Sequence, residues 1–234
     1  MGLFFSSLKT TLDAIIAAAR AEFLEKGYKS ASLRNIVKTA GVTTGAFYGY
    51  YKSKEELFDA LVGVQYEMVM TKFVAAQEQF ASLPPEKQRD EMGGISGDCM
   101  EWITEYVYKN PVEFKLILTC SEGTKYGNLI HDMVEIEVRA THRFAKNLEM
   151  LGYPDYSVDP QLEHMLASGL FSAYFELVVH DMPYETAKEY IRDLRNFYTA
   201  GLQRIMGFKS PLIFGIELVK TNQRIFREGE PLLS

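Results

Sequence analysis

A tight turn around Gly41 is the sequence feature that most constrains how this chain folds. Apolar residues recur at helical spacing from Leu33 to Ala40, and Ser32 stands before them as an N-cap. Gly41 follows where a left-handed residue would end that helix, and Thr43 is placed to cap a second one. Two short helices joined by about four residues around a glycine form the helix-turn-helix layout, whose second helix fits the major groove of DNA.

A third, long helix is predicted after this pair. Ser53 and Glu56 have the spacing of a capping box, and a helical pattern continues from Lys54 to about Phe80. Such a helix would begin beside the helix-turn-helix and end inside the rest of the chain. It is therefore a candidate lever between two parts of the protein.

The charge pattern favours a nucleic-acid interface in the same region. No Asp or Glu occurs from Lys26 to Lys54, so all 31 acidic residues lie outside this window. The basic residues inside it are Lys26, Lys29, Arg34, Lys38, Lys52 and Lys54. Because phosphate contacts dominate sequence-independent DNA affinity, this window is where DNA would bind. The alternative is a solvated helical hairpin with ordinary surface lysines.

The same stretch resembles a known family. The motifs are EKGY at 25–28, SLRNIV at 32–37, AGVTTGAFYGYY at 40–51 and KSKEELF at 52–58. Their order resembles the N-terminal domain of TetR-family transcriptional repressors over roughly Lys9 to Val69. Beyond about residue 70 the resemblance implies only an all-helical architecture.

The resemblance implies which residues contact double-stranded operator DNA. Phosphate contacts are expected from Ser32, Thr44, Tyr48 and Lys54. The positions expected to face the bases are Arg34, Thr43, Thr44, Gly45, Ala46, Gly49 and Tyr50. Many family members carry a large side chain where this chain has Gly49, so Arg34 and Tyr50 are expected to read more of the sequence.

The remaining chain is predicted to be all-α, with about nine main helices in total. We expect a helix-turn-helix domain at 9–69, a larger helical ligand-binding and dimerisation domain at 70–207, and a tail at 208–234. The tail is either an extra docked segment or a cloning-derived extension. Helix starts are predicted at Asn110-Pro111, Asp159-Pro160 and Met182-Pro183, where a proline at the first position loses no hydrogen bond. Glycines 93, 94 and 97 are expected to interrupt or delay a helix.

The last two main helices have the clearest apolar stripes. Their small residues allow close helix approach, and two such hairpins related by a two-fold axis would form a four-helix bundle. The family resemblance implies that this bundle is the homodimer interface. Its predicted residues are Leu162, Leu166, Gly169, Ala173, Leu177, Leu194, Tyr198, Gly201 and Ile205. The alternative is that both stripes lie in the subunit's own core.

A ligand cavity is predicted in the second domain. The candidate lining is rich in aromatic and methionine side chains, with His131 and Glu135 as polar anchors. Its residues are Met68, Met70, Trp102, Tyr106, Phe114, His131, Met133, Glu135, Phe171, Tyr174 and Phe175. The alternative is a filled core, whereas the resemblance implies a cavity for a small apolar or aromatic effector.

Enzymatic chemistry is poorly supported. The four histidines have no H-x-E or C-x-x-C companion, and neither a nucleophile elbow nor a phosphate-binding loop occurs. No cofactor and no metal is therefore expected, although His131 and Glu135 lie one turn apart as either a metal pair or a hydrogen-bonding pair. Cys99 and Cys120 fit a reducing cytoplasm, as oxidant sensors or as small buried hydrophobes.

Together these features predict a cytoplasmic, homodimeric DNA-binding repressor that a small molecule releases from its operator. No membrane association is expected, because the longest apolar run is too short to span a bilayer. The alternatives are an activator or redox-responsive regulator of the same fold, or a helical binding protein that does not contact DNA.

Overall fold

The structure is a computed structural model that describes residues 2–152 and 159–205. The described part contains α-helices, one short 3₁₀ helix and no strand, so the predicted all-α fold is confirmed. The helices are α1 (Gly2–Ser30), α2 (Leu33–Thr39), α3 (Thr44–Tyr48), α4 (Lys54–Ala81), α5 (Pro85–Lys109), α6 (Pro111–Cys120), α7 (Leu129–Met150), α8 (Pro160–Val179) and α9 (Tyr184–Ile205), with the 3₁₀ helix at Lys125–Asn128. The tail at 208–234 and the predicted helix end at Gly207 lie outside the described residues.

Helices α1–α3 and the first turns of α4 form a unit that we call the head; the remaining helices form the body. Gly27 has a φ of 69°, which ends the regular part of α1. Gly41 has a φ of 66°, which confirms the predicted left-handed glycine between α2 and α3. Ile36 and Phe47 are fully buried beneath this turn, so the two short helices are held by a common core.

Helix α4 connects the head to the body. It runs for 28 residues without interruption, as predicted, and it buries residues on both sides of the predicted domain boundary, including Leu57, Phe58, Val69 and Phe73. The boundary between residues 69 and 70 falls inside this helix. The head and the body therefore share a continuous buried core.

The predicted interruption at the glycines of α5 is wrong. Helix α5 continues from Pro85 through all three glycines to Lys109. A glycine inside a helix costs only about 1 kcal/mol relative to alanine, which tertiary contacts readily offset. The contact here comes from Arg195 of α9, whose Nη2 donates to the Gly93 carbonyl at 3.2 Å and lies where a Cβ of Gly97 would collide with it.

Helices begin at all three predicted proline sites, but the residues before the prolines make different hydrogen bonds. Asp159 caps α8 as predicted, since its carboxylate accepts from the backbone N–H of Gln161 at 2.8 Å. Helix α9 begins at Tyr184, directly after Met182-Pro183. Helix α6 begins at Pro111 as expected, but Asn110 does not cap it with its side chain. Its amide instead donates to the Tyr106 carbonyl at 2.8 Å, where it closes the end of α5.

Candidate nucleic-acid interface and ligand cavity

Side-chain caps shape the helix-turn-helix surface. The Ser32 hydroxyl accepts from the backbone N–H of Asn35 at 3.4 Å, and the Thr43 hydroxyl accepts from that of Ala46 at 3.1 Å. Both caps were predicted, and each satisfies a backbone donor that has no partner within its own helix. The caps fix where α2 and α3 begin, and therefore which residues face outward.

A buried carboxylate that sequence reasoning missed ties α1 to α2. Glu22 Oε1 accepts from the Ser32 backbone N–H at 2.9 Å, from Lys26 Nζ at 3.3 Å and from Asn35 Nδ2 at 3.4 Å. The Ser32 N–H bond, with help from Lys26, holds the pKa of Glu22 below its usual value. Glu22 therefore positions the start of α2 as an ionised group.

Most of the predicted DNA-contacting residues share an exposed surface. Tyr48 is 52% exposed although it neighbours the fully buried Phe47. The other exposed members are Arg34, Thr43, Thr44, Gly45, Ala46 and Gly49. Ser32 is half-buried at its cap position, and half-buried Tyr50 packs against the core of the protein. The structure therefore brings the predicted set together, with less of Tyr50 available than expected.

Lys54 has a structural role that the sequence did not predict. Its ammonium donates to the carbonyls of Tyr28, Ala31 and Lys29 at 2.6, 3.1 and 3.3 Å. It also lies 4.5 Å from the centroid of the Tyr28 ring. Lys54 thus closes the C-terminal end of α1 from the start of α4, and a phosphate would compete with these carbonyls for the same donors.

Carboxylates from outside the acid-free window offset part of its positive charge. Lys26 pairs with Glu22 at 3.3 Å, and Lys29 pairs with Glu122 of the body at 2.5 Å. Within the described chain, the remaining exposed cations of the window make no ion pair: Arg34, Lys38 and Lys52. The charge of these three is therefore not offset by a described carboxylate within ion-pair distance.

The predicted capping box at the start of α4 forms only in part. The Ser53 hydroxyl accepts from the Glu56 backbone N–H at 3.1 Å, as expected. The Glu56 carboxylate, however, reaches one residue further and accepts from the Lys52 backbone N–H at 2.6 Å. This bond fixes the backbone at Lys52, one of the three unpaired cations.

Polar contacts join α1 of the head and the first half of α4 to the helices of the body. Arg20 pairs with Glu113 of α6 at 2.5 Å. On α4, Asp59 accepts from the Tyr126 hydroxyl of the 3₁₀ helix, and further along the Tyr66 hydroxyl donates to Asp132 of α7 at 2.8 Å. Burial, and then the bond to Asp59, raise the pKa of Tyr126 to about 12, so its hydroxyl remains a donor. A shift of α6 or α7 would therefore move the groups that contact α1 and α4.

A cavity of about 140 Å³ lies in the body between α4, α5, α7, α8 and α9. Its wall is mostly apolar, with a few polar side chains. The lining residues are Phe73, Ala76, Gln77, Phe80, Ile95, Ser96, Cys99, Met100, Glu137, Ala140, Thr141, Phe144, Leu170, Phe171, Arg195, Tyr198, Thr199 and Leu202. A cavity in the second domain was predicted, but of its predicted lining residues Phe171 is the one that reaches this cavity.

The other predicted lining residues have other partners. Trp102 stacks on Tyr106 with ring centroids 5.0 Å apart, and Tyr174 shares a 2.9 Å hydrogen bond with Thr104. Phe114, Met133 and Phe175 are buried in the core, half-buried Met70 packs against it, and Met68 and His131 are exposed. Glu135 lies 3.9 Å from Arg139 and 3.7 Å from His164 at the surface. Aromatic density identified the domain but not the cavity, because a helix has several apolar faces and packing decides which one borders a void.

Two charged groups reach the cavity wall. Gln77 Nε2 donates to Glu137 Oε2 at 2.7 Å, and burial raises the pKa of the Glu137 carboxyl. Burial also lowers the pKa of the Arg195 guanidinium, an effect that nearby Glu101 and Asp98 oppose. The sequence did not predict Gln77, Glu137 or Arg195 as cavity residues. Polar residues on an amphipathic helix are usually assigned to its solvated face.

The apolar stripes of α8 and α9 are divided between the subunit's own core and the surface. Leu177 is buried in the core, and Leu194 packs against it. Gly169 serves contact between α8 and α9, because a Cβ there would lie 2.6 Å from the Tyr198 hydroxyl. Leu166 and Ala173 are half-buried. These residues therefore make contacts mainly or partly within the subunit.

Another part of the stripes remains exposed. Predicted residues Leu162 and Ile205 are 41% and 42% exposed, and a Cβ added at Gly201 would meet nothing within 4 Å. Met165 and Phe197, which were not predicted, are 68% and 74% exposed. Phe197, Gly201 and Ile205 lie at one-turn spacing on α9, so the exposed apolar surface is continuous along that helix.

The described residues contain no cluster of three or more His, Cys, Asp or Glu side chains suited to a metal ion. Both cysteines are buried, and burial raises the pKa of Cys99 to about 11, so its reactive thiolate is scarce. Among the described helices, none combines the length and the apolar character needed to cross a bilayer.

Comparison with known proteins identifies the N-terminal part of the chain. Residues 15–61 match the family model of bacterial regulatory proteins of the tetR family. The transposon Tn10 TetC protein of Escherichia coli is 38% identical over 63 residues, which cover 27% of this chain and 32% of that protein. The HTH-type transcriptional repressor BepR of Brucella suis is 40% identical over 53 residues, or 23% of this chain and 25% of that one. The match thus spans a quarter to a third of these relatives' length.

Solved structures resemble the chain over a larger share of its length. A putative TetR-family regulator from Mesorhizobium loti is 17% identical, with a TM-score of 0.47, and the match covers 83% of this chain and 97% of that one. A TetR/AcrR-family regulator from Aquifex aeolicus is 26% identical, with a TM-score of 0.42, covering 83% and 99%. Likeness at this level carries no conclusion about ligands or assembly.

Proposed function

We propose that this chain, whose residues 15–61 match the tetR family of bacterial regulatory proteins, is a homodimeric, sequence-specific DNA-binding repressor of that family, released from its operator by a small molecule. Its matched relatives are regulators rather than enzymes, which agrees with the absence of a catalytic motif in the sequence. DNA binding, dimerisation and release are argued separately below, because different residues support each of them.

The exposed surface of α2 and α3 is the observation that carries the proposal. Arg34, Thr44 and Tyr48 are exposed beside the Gly41 turn, and Arg34, Lys38 and Lys52 make no ion pair with another described residue. Guanidinium, hydroxyl and ammonium groups are the donors that phosphates and guanine edges accept. Because α3 is capped and held by buried Phe47, these donors are presented in a fixed arrangement.

Selection from a random duplex library, followed by electrophoretic mobility shift, tests DNA binding. We expect one enriched, nearly palindromic sequence, with half-sites about one helical turn or more apart. Specific affinity should fall steeply with salt, because released counterions contribute to binding. A library that shows no enriched sequence would contradict sequence-specific recognition.

A second copy of the chain is the proposed occupant of the exposed α8–α9 surface. Leu162, Met165, Phe197 and Ile205 are large apolar residues with at least two-fifths of their surface exposed. Contiguous apolar surface of this kind is typical of interaction sites, and near-palindromic operators require a two-fold related pair of heads. Because a pair of related heads is required, a second copy of the chain is favoured over a different partner.

Gly201→Arg tests this interface. Gly201 is exposed and has open space around it, so the substitution should not disturb the subunit itself. Analytical ultracentrifugation should show monomers with little operator affinity. Gly94→Arg, at an exposed position of α5, is the matched control and should leave the dimer intact. A dimeric Gly201→Arg protein would remove α9 from the interface.

The cavity supports the release step. Phe73 and Phe80 of α4 line it, while the other end of the same helix carries Lys54, which holds the end of α1. A ligand that favours one position of α4 would therefore favour one spacing of the two heads. Coupling must be reciprocal, so ligand and operator should weaken each other by the same factor, typically 5–150-fold. Equal ligand affinity with and without operator would exclude coupling.

A further inference from the structure

Glu137 is a half-buried residue whose carboxyl group has no compensating cation among the described residues. It lies on α7 in the cavity wall, where Gln77 is its hydrogen-bond donor. No described Lys, Arg or His lies within ion-pair distance of it. Burial therefore raises the pKa of this carboxyl, and the Gln77 bond only partly opposes that effect. A buried acid in this state can gain free energy from any cation that enters the cavity.

Arg195, the other charged group of the wall, is already compensated. Its guanidinium donates to the Gly93 carbonyl and lies against Gly97 of α5. Asp98 and Glu101 of the same helix act on it electrostatically and favour its charged form. An anionic ligand at Arg195 would therefore compete with existing partners, whereas a cation at Glu137 would not. The unbalanced charge of the cavity is the negative one.

The aromatic side chains of the wall suit the same kind of ligand. Phe73 and Phe171 are edge-to-face at 5.4 Å, and Phe80 and Phe144 are edge-to-face at 5.5 Å. Ring faces attract organic cations, and they do so more strongly where water is excluded. The cavity volume of about 140 Å³ is close to that of a cavity known to hold benzene, about 150 Å³. The apolar body of the ligand is therefore about one ring in size.

We propose that the cavity binds a small organic cation, a protonated amine on an apolar body of about one aromatic ring, with Glu137 as its counter-ion. The ammonium lies between the Glu137 carboxylate and the phenylalanine rings, and the apolar body fills the space toward Leu170 and Leu202. The role of this cation as the releasing effector rests on the proposed function, whereas its binding does not.

Isothermal titration calorimetry of the full chain without DNA tests the inference with three probes of similar size. These are benzylamine in its protonated form, benzyl alcohol and benzoate. Benzylammonium should bind at least about tenfold more tightly than benzyl alcohol, as expected for a charge-assisted hydrogen bond in a buried site. Benzoate should bind most weakly. Glu137→Gln should abolish the preference for the cation and leave benzyl alcohol binding within a few-fold of its original value.

Glu135→Gln is the matched control, because Glu135 lies on the same helix outside the cavity and should keep the cation preference. Tightest binding of benzoate, equal binding of the three probes, no binding of any probe, or an unchanged preference in Glu137→Gln would each overturn the inference. The order of the probes in the unaltered protein remains a test if Glu137→Gln fails to fold. Operator binding measured separately shows whether the proposed function survives such a result.

Discussion

In the head, charged and hydroxyl side chains lie on the surface, whereas in the body two charged side chains line an internal cavity. Arg34 and Lys38 of the head extend into solvent, where their charge is available to a large polyanion. Glu137 and Arg195 of the body are half-buried in the mostly apolar wall of this cavity, where charge is costly unless it is paired. From this difference we expect the exposed charges of the head to suit a macromolecule and the partly buried charges of the body to suit a small molecule.

The neighbours Phe47 and Tyr48 give the largest expected contrast between core and surface within the head. Phe47→Ala should lower the free energy of unfolding by about 3–5 kcal/mol, because Phe47 is fully buried. Tyr48→Ala should cost about 1 kcal/mol or less, because its ring is half-exposed and contacts Phe47 edge-on at 5.5 Å, yet it should weaken DNA binding. Denaturant unfolding and mobility shift measure the two effects. Equal stability losses would mean that α3 does not separate a core face from a DNA face.

Arg34 and Lys29 provide a contrast between a cation expected to contact bases and a cation that is paired within the protein. Arg34→Ala should cost roughly 1–3 kcal/mol of operator affinity and relax the preference at one base position per half-site, as expected for a bidentate contact to guanine. Lys29→Ala, in the same acid-free window, should leave the preference unchanged, since Lys29 pairs with Glu122. Sequence selection with each variant measures this difference. An unaltered preference in Arg34→Ala would remove Arg34 from base reading.

Lys54 and Lys52 provide a contrast between a lysine bound to carbonyls of the protein and a lysine expected to contact phosphate. Lys54→Ala should lower the free energy of unfolding without DNA by about 1–2 kcal/mol, because three carbonyls lose a charged donor. Lys52→Ala should leave stability within about 0.5 kcal/mol but lower the salt slope of DNA binding by about one unit. If Lys54→Ala instead lowers the salt slope with no loss of stability, Lys54 is a phosphate contact, as the family resemblance implies.

The smallest expected effect is the pH dependence that Glu137 gives to the body. Its folded pKa is raised above the ordinary value of 4.5, so it supports the folded state below that value and loses this contribution as pH rises through the folded pKa. Glu137→Gln should therefore raise the melting temperature near neutral pH, and the gain should vanish in acid. Glu135→Gln should show no such gain. Melting curves measured across pH test this. If the two variants behaved alike, the raised pKa of Glu137 would be contradicted.

Glu22 in the head should show the opposite sign. Its pKa is lowered in the folded protein by the Ser32 N–H bond, so its contribution is present above the unfolded pKa and is lost as pH falls through the folded pKa. The head and the body thus contain buried carboxyls with opposite responses to acid. Glu22 accepts hydrogen bonds from the backbone and from Lys26, while among the described residues the donor to Glu137 is an amide.

Local signals in the sequence predicted the head well. The caps at Ser32 and Thr43, the left-handed Gly41 and the start of α4 at Ser53 all form as expected. Each depends on groups only a few residues apart, so backbone chemistry alone specifies them. The surface that α2 and α3 present follows from those caps, which is why the predicted DNA-contacting residues lie together.

The cavity and the ion pairing of the exposed surface around α2 and α3 were decided by tertiary structure. Glu122 neutralises Lys29 across 93 residues of sequence, and Arg195 reaches α5 across 102. The second of these contacts lies against the glycines of α5, which continues through them as one helix. The sequence by itself determined the helices, their caps and the acid-free window, because those features arise from neighbouring residues. Two other features depend on residues that meet only after folding. These are the apolar face that borders a void and the cations that have no ion-pair partner.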